Sequence, residues 1–221
     1  CANIRDRLLQ LVYASKDGDA TVFHFSGHGS QIRDRSGDEL TDQLDELICP
    51  HDMDWNSRET FLIDDDLSSI FEEGGWSLSS NQAMEVILDC CHSGTGLRGM
   101  MGLCTRRPAI GGHVNRYTPP PIDILCRSMD AGELPIERLF LKNMHLSEPV
   151  LWSGCRAHQT CADAFIEGKY NGAFTFHLCN LIRKGFTERF GLIEAVRKAL
   201  QNNDFDQVPQ LETEREGKLT S

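Results

Sequence analysis

The stretch that most constrains the fold of this chain is 86–94, whose sequence is VILDCCHSG. Apolar residues run directly into an acid, two cysteines and a turn that contains glycine. This pattern is typical of a buried parallel strand that ends at a functional sheet edge. The stretch 21–29, TVFHFSGHG, has the same form and ends in a histidine between glycines. The sequence therefore predicts two strands whose ends carry a thiol and an imidazole.

A thiol and an imidazole brought together can perform nucleophilic catalysis, because the imidazole generates the reactive thiolate. The residues concerned are Cys91 and His28. Taken singly, Cys91 is better explained as a small buried apolar residue and His28 as part of a loop. Their joint occurrence at the ends of two strands favours a cysteine–histidine pair.

Composition limits the classes of function that fit this chain. Its 221 residues are 40% hydrophobic and 25% charged, as in an ordinary α/β domain, with or without an appended lobe. No apolar run approaches the roughly 20 residues that span a bilayer, and no signal peptide is recognised. The net charge of −11 argues against a nucleic-acid partner and leaves room for a basic substrate.

The cysteine content indicates reduced thiols. Nine cysteines are an odd number, and their spacing shows no disulfide framework, so we expect an intracellular, cytoplasmic protein. A zinc site is a weaker alternative, because no C-x-x-C pair supplies the usual chelate spacing.

The first third of the chain alternates predicted helix, strand and loop. The apolar spacing predicts a helix over 3–15 capped by Asn3, and a strand over 21–25. An acid-rich loop region is predicted over 31–60, with a short piece around Leu47 packed on the core. A short strand beginning at 61 then leads into a helix with Asp66 as its N-cap.

The three consecutive acids at 64–66 have two explanations. They are compatible with a solvated loop and favourable charge at a helix N-terminus. They are also compatible with a hard-cation site, since calcium is bound by about six to eight oxygen atoms and adjacent carboxylates supply them.

The second half of the chain begins with a stretch, 97–146, that lacks clear periodicity and is predicted to be a long insertion. A third core strand follows at 149–154. A helix is predicted at 171–183, and another carries Leu192 and Leu200 and ends at 202–203. Strands alternating with helices predict a three-layer α/β domain with a mostly parallel sheet.

Several motifs, in this order and at this spacing, resemble those of metacaspases. They are FSGHGSQ (25–31), DE (45–46), IDDDL (63–67), DCCHSG (89–94), SGC (153–155), QTCADA (159–164) and YNGA (170–173). The resemblance implies the caspase-like three-layer α/β/α sandwich, in a type I-like order. One structural domain would comprise a large-subunit-like region (1–96), a flexible linker (97–147), a small-subunit-like region (148–213) and a tail (214–221).

The same resemblance implies a cysteine endopeptidase that cleaves after Arg or Lys. His28 would be the catalytic histidine and Cys91 the nucleophile, with Cys90 packed beneath the sheet edge. The N–H groups of Gly29 and Cys91 would form the oxyanion hole. Ser26 and Asp89 match positions of the family's basic-residue pocket. The alternative for Asp89 is a structural carboxylate that caps N–H groups of the turn.

Self-cleavage and calcium activation are further implications of the resemblance. The linker offers Arg106 and Arg107 as cleavage positions, with Arg98 and Arg116 as secondary candidates. The family's calcium ligands match three acids of this chain: Asp45, Asp64 and Asp65. Arg98 stands at the fourth ligand position, and since its cation opposes calcium, activation is left open.

The start of the chain departs from the family pattern. The first strand of the family's fold is not recognised, and Ile4 stands where an acid completes the pocket. Two alternatives to the endopeptidase therefore remain. One is a catalytically silent caspase-fold scaffold that binds peptides or partner proteins, and the other is a protease of legumain or clostripain type. We expect a monomer with Arg- or Lys-containing protein substrates.

Overall fold

The computed structural model describes residues 1–16, 18–33, 44–73, 83–90, 114–121, 150–156, 159–213 and 219. In chain order its helices are α1 (Ala2–Ala14), α2 (Asp64–Glu73), α3 (Ala173–Arg183) and α4 (Arg189–Gln201). The strands are β1 (Ala20–Ser26), β2 (His28–Arg33), β3 (Leu44–Cys49), β4 (Leu62–Ile63), β5 (Ala83–Asp89), β6 (Val114–Asn115), β7 (Val150–Ser153), β8 (Ala162–Ile166), β9 (Lys169–Gly172) and β10 (Gln210–Glu212). A 3₁₀ turn spans Arg58–Thr60.

The central sheet has the strand order β1-β5-β7-β10. Strand β5 pairs in parallel with β1 on one side and with β7 on the other, and β10 adds an antiparallel edge. Every residue of β5 is buried, because both faces of this strand are covered. The mostly parallel sheet predicted from the apolar strands is confirmed.

Helices cover the two faces of this sheet. Because successive side chains of a strand point to opposite faces, β5 divides its residues between two cores. Val86 and Leu88 pack with α1 and α2, whereas Ile87 packs with α3 and α4. This arrangement is the predicted three-layer α/β/α sandwich. Among the residues given above, no helix is long and apolar enough to cross a membrane.

The region 31–60, predicted to be a loop, instead contributes to a second sheet. Strands β2, β3 and β4 pair antiparallel in that order. The loop prediction was wrong because the acids obscure a short apolar alternation, in which Ile32, Leu47, Phe61 and Ile63 form a separate small core.

Two predicted helix caps were also wrong. Helix α1 starts at Ala2, so Asn3 lies inside it and does not cap it. Helix α2 starts at Asp64, and Asp66 lies in its first turn. The Asp66 carboxylate still satisfies a backbone donor, because Oδ2 accepts from the N–H of Ile63 at 3.0 Å while it pairs with Arg58 at 2.8 Å.

Part of the predicted linker carries regular structure. Strand β6 pairs antiparallel with β8, and β8 pairs with β9, so the three strands form a third sheet. Residues 97–113 and 122–147 lie outside the described residues, and their character stays a prediction. Six of the cysteines lie among the described residues, and their reduced state stays a prediction: Cys1, Cys49, Cys90, Cys155, Cys161 and Cys179.

A buried ion pair connects the central sheet to α4. Glu85 of β5 accepts hydrogen bonds from Arg189 at 2.7 and 2.9 Å and from the indole of Trp152 at 2.6 Å. All three side chains are at most 2% exposed. A buried charge is tolerated only when it is paired, so Arg189 is needed to hold the ionised Glu85 inside the fold.

We expect Arg189→Met to reduce the free energy of unfolding by about 3–5 kcal/mol, because it leaves the Glu85 carboxylate buried without its cation. Arg183→Met is the control, since Arg183 is exposed and bonds only Asn180 among the described residues; it should change stability by less than about 0.5 kcal/mol. Denaturant unfolding of both variants gives the comparison. Equal losses would contradict a structural role for the buried pair.

Candidate active site

The carboxyl ends of β1 and β5 meet at one edge of the central sheet. The parallel register places Ser26 beside Asp89, and the N–H of Gly27 bonds the Asp89 carbonyl oxygen at 3.2 Å. His28 follows at once as the first residue of β2. Its side chain is exposed and makes no hydrogen bond within the described residues.

The predicted nucleophile, Cys91, lies outside the described residues, as do Arg98, Arg106 and Arg107. Cys90, which precedes Cys91 in the sequence, is 3% exposed and packs in the core between the sheet and helices α1 and α2. It was predicted to pack beneath the sheet edge. Gly29, a predicted oxyanion donor, is buried.

The Asp89 side chain is fully buried and joins β5 to α3. Its Oδ2 accepts hydrogen bonds from the N–H and the hydroxyl of Thr175, at 3.0 and 2.6 Å. Thr175 lies in the first turn of α3, so Asp89 caps the start of that helix. Burial raises the pKa of Asp89 above its ordinary value, although Arg116 and Thr175 act in the opposite direction.

The guanidinium of Arg116 occupies the space beside Asp89. Its Nη1 donates to Ser26 Oγ at 2.5 Å and to the Asp89 carbonyl oxygen at 2.9 Å, and lies 3.7 Å from Asp89 Oδ2. Its Nη2 donates to Asp163 Oδ1 at 3.1 Å. Arg116 is only 7% exposed. We call the site formed by Ser26, Asp89 and Asp163 the basic pocket, because a basic side chain occupies it.

Glycine at position 172 makes room for this pocket. A Cβ at Gly172 would overlap Asp89 Oδ2 and would lie 2.8 Å from Cζ of Arg116. Because strand β9 passes so close to both groups, only a residue without a side chain fits there. The glycine of the YNGA motif is therefore explained by a close approach to the pocket.

Asp163 is the pocket residue to which the sequence analysis assigned no role. It lies on β8, where it pairs with Gly172 on one side and with Val114 on the other. The only signal for it in the sequence was its place in the QTCADA motif. Its partnership with Arg116 depends on residues 47 positions apart, which no local pattern reveals.

Comparison with known proteins finds similarity to metacaspases. The family model described as "Metacaspase, peptidase C14 domain" matches residues 1–99. Metacaspase-1 of Arabidopsis thaliana is 29% identical over 92% of this chain and 50% of its own length. Metacaspase-1A of Aspergillus clavatus is 27% identical over 95% of this chain and 52% of its own length. The chain is therefore similar to metacaspases over most of its length.

One solved structure has a similar fold. The crystal structure of protein GSU0716 from Geobacter sulfurreducens is similar with a TM-score of 0.61 and 24% identity, covering 96% of this chain and 72% of that protein. This similarity concerns the fold alone. The chain spans about half the length of the metacaspases quoted above, so the activity of the whole protein is a matter for proposal.

A second group of acids corresponds to the predicted calcium ligands of a metacaspase. Asp45 is 2% exposed, and burial together with the charges of Asp45 and Asp65 raises the pKa of Asp64 to about 7. Asp64 Oδ1 is buried without a hydrogen-bond partner. Within the described ranges, however, no three His, Cys, Asp or Glu side chains are arranged to hold a metal ion. These residues therefore supply at most part of a calcium site.

We expect the free energy of unfolding of Asp64→Asn, relative to that of the wild type, to increase as pH rises. Between the ordinary pKa of 3.8 and the folded value of about 7, the folded state binds the proton more tightly, so wild-type stability falls with pH across this window. The neutral amide removes that loss. The difference in unfolding free energy between variant and wild type should grow by about 2–3 kcal/mol from pH 5 to pH 8. Denaturant unfolding with a chelator measures it, and a difference independent of pH would contradict the raised pKa.

Proposed function

We propose that the protein is a cysteine endopeptidase that cleaves peptide bonds after Arg or Lys. The observation that supports it best is a guanidinium seated in the basic pocket, beside the two strand ends that carry His28 and lead to Cys91. The metacaspase relatives support the class of reaction, a peptidase with a cysteine nucleophile.

The chemistry of the basic pocket favours a cationic side chain. Asp89 is buried at the base of the pocket, and an ionised carboxylate withdrawn from water gains most from a nearby positive charge. Asp163 adds a second carboxylate, and Ser26 adds a neutral acceptor. The planar fork of an arginine can reach several such acceptors at once, whereas a lysine reaches them as a single point charge. An aspartate side chain would be repelled.

In the proposed mechanism, the Cys91 thiolate attacks the carbonyl carbon of the scissile bond. His28 gives a proton to the leaving amine and then helps to activate the water that hydrolyses the thioester. The N–H groups of Gly29 and Cys91 stabilise the oxyanion. Gly29 follows His28 directly in β2, so the donor and the acid–base residue share one short backbone segment.

Calcium activation and self-processing are part of the proposal. The uncompensated carboxylate of Asp64 supports binding of a hard cation, and Arg98 opposes it. If calcium binds, hydrolysis of an Arg peptide should rise as calcium is added and fall with a chelator. An unchanged rate would contradict activation by calcium and would leave the peptidase proposal intact.

We expect the protein to hydrolyse fluorogenic peptides with Arg or Lys before the cleaved bond much faster than otherwise identical peptides with Asp there. Because the carboxylates of the basic pocket attract a cation and repel an anion, kcat/KM for the Arg peptide should exceed that for the Asp peptide by about 1,000-fold or more. Cys91→Ala should abolish hydrolysis, and Cys179→Ala should not, since Cys179 lies on α3 away from the strand ends. Preference for Asp, or turnover that survives Cys91→Ala, would contradict the proposal.

A peptide-binding scaffold without turnover is the second candidate, because the pocket and its surroundings already hold a peptide segment through non-covalent contacts alone. A covalent inhibitor with an Arg side chain separates the two. An adduct on Cys91, seen by mass spectrometry of the digested protein, supports the enzyme. Binding of an Arg peptide without any adduct supports the scaffold.

A further inference from the structure

Two cysteine sulfur atoms lie side by side near the carboxyl ends of β5 and β7, and we call this pair the dithiol. The Sγ atoms of Cys155 and Cys161 are 3.1 Å apart. Both side chains are buried, since the two residues are 8% and 0% exposed, and Tyr117 packs against them. A disulfide bond is about 2.05 Å long, so the two sulfurs need to approach by only about 1 Å to form one.

The dithiol contacts the chain at the point where it leads into the predicted nucleophile. Cys161 Sγ lies 3.3 Å from the carbonyl oxygen of Cys90, to which its thiol can donate a hydrogen bond. That carbonyl group belongs to the peptide unit that joins Cys90 to Cys91. Cys155 donates to the carbonyl oxygen of Gln159 at 3.4 Å. A change at the dithiol therefore reaches the residue before Cys91 through one hydrogen bond.

A glycine makes room for the dithiol beside the basic pocket. A Cβ at Gly154 would lie 2.8 Å from Cys161 Sγ and 3.2 Å from Asp89 Oδ1. The N–H of Gly154 bonds the carbonyl oxygen of Leu88 at 2.8 Å, which holds this backbone against β5. Because a side chain at position 154 would collide with the Cys161 sulfur, the glycine allows the dithiol to lie this close to the carboxylate of the pocket.

The dithiol has the features of a reversible redox site. Its two sulfurs are in contact, and they belong to residues six positions apart. A bond that closes so short a loop constrains the unfolded chain less than one that closes a long loop, so a reductant breaks it more readily. Building on the proposed function, we propose that Cys155 and Cys161 are oxidised to a disulfide that slows hydrolysis at Cys91, and that reduction restores the rate.

Hydrogen peroxide is the oxidant in the proposed step, and Cys155 reacts first because it is the more exposed of the two cysteines. Its thiolate attacks one peroxide oxygen, the O–O bond breaks, and Cys155 becomes a sulfenic acid. The departing hydroxide takes up the proton that Cys155 lost and becomes water. The Cys161 sulfur then attacks the sulfenic sulfur, the S–O bond breaks, and the hydroxide released takes the Cys161 proton to form a second water. Two electrons pass from the sulfurs to the peroxide.

Oxidation changes the contacts that the dithiol makes with the site. A disulfide sulfur carries no proton, so Cys161 can no longer donate to the Cys90 carbonyl oxygen. The approach of the two sulfurs also displaces Cys161, whose own carbonyl oxygen accepts from the N–H of Arg116 at 3.2 Å. Since a displacement of about 1 Å at a reacting group can cost about 100-fold in rate, we expect the oxidised chain to be slower by about tenfold or more.

Peptide mapping of the peroxide-treated full chain tests the disulfide. Trypsin cuts after Arg156, which lies between the two cysteines, so the peptides that carry Cys155 and Cys161 stay joined only by a disulfide. With thiols alkylated before digestion, we expect the joined peptides in the wild type and in Cys91→Ala, and their separation by dithiothreitol. Recovery of the two cysteines in separate alkylated peptides, or bonded to other cysteines instead, would overturn the inference. Because Cys91→Ala lacks the nucleophile, this result does not depend on the proposed function.

Hydrolysis of a fluorogenic Arg peptide is the second readout. Peroxide should slow the wild type by about tenfold or more, and dithiothreitol should restore the rate. Cys155→Ala, or Cys155→Ser if the alanine variant does not fold, cannot form the disulfide and should keep most of its rate in peroxide. Cys179→Ala is the matched control and should respond to peroxide like the wild type, since Cys179 lies on α3.

The same assay separates failure of the inference from failure of the proposed function. An equal loss of rate in the Cys155 variant would assign that loss to oxidation of Cys91, and would overturn the inference while leaving the proposed function standing. A reduced chain that hydrolyses no Arg peptide would overturn the proposed function and the effect on hydrolysis together. The mapping result would then decide the disulfide by itself.

Discussion

The interaction on which the site depends is the burial of the Asp89 carboxylate between β5 and the start of α3. One of its oxygens takes both hydrogen bonds from Thr175, so the carboxylate fixes the helix against the end of the strand. The main-chain carbonyl of the same residue receives the Arg116 guanidinium. A single residue thus connects the central sheet, a covering helix and the segment that carries Arg116. Loss of its charge would affect helix position and pocket chemistry together.

Two carboxylates that are withdrawn from water, those of Asp89 and Asp64, are compensated differently. At Asp89 a cation from the same chain lies 3.7 Å from the carboxylate. At Asp64 the neighbouring carboxylates add repulsion to burial, and the group holds its proton up to about pH 7. Each arrangement costs stability in the absence of a cation. In both places a positive ligand would relieve that cost: a basic side chain in the first, a hard cation in the second.

The layers of the fold could be predicted from sequence because they depend on local patterns. The apolar runs at β1 and β5 mark strands buried on both faces, and helical periodicity marks α3 and α4. The hairpin of β2 and β3 and the strands β8 and β9 were not predicted. These strands are short, and polar residues interrupt their apolar alternation.

The candidate site could be predicted only in part, for a related reason. Ser26 and Asp89 could be assigned because they end strands that the pattern identifies. Asp163 could not, since its role exists only once β8 has been placed against β6 and the third sheet against the strand ends. Arg116 was recognised as a basic residue of the linker, but its place in the pocket is a tertiary contact across 27 positions to Asp89. Contacts of this range leave no periodicity in a single sequence.

The central claim is that carboxylates of the basic pocket select a positive charge, and a neutral isostere tests it most directly. Citrulline has the shape of arginine without its charge, so kcat/KM should be measured for two peptides that differ only by Arg or citrulline before the cleaved bond. Asp163 is the informative residue to change, because its carboxylate has one hydrogen-bond partner among the described residues, Arg116, and Asp163→Asn leaves the helix cap of Asp89 in place. We expect the wild type to favour Arg by about 100-fold or more and Asp163→Asn to reduce that preference about tenfold. Equal rates for the two peptides in the wild type would contradict the claim.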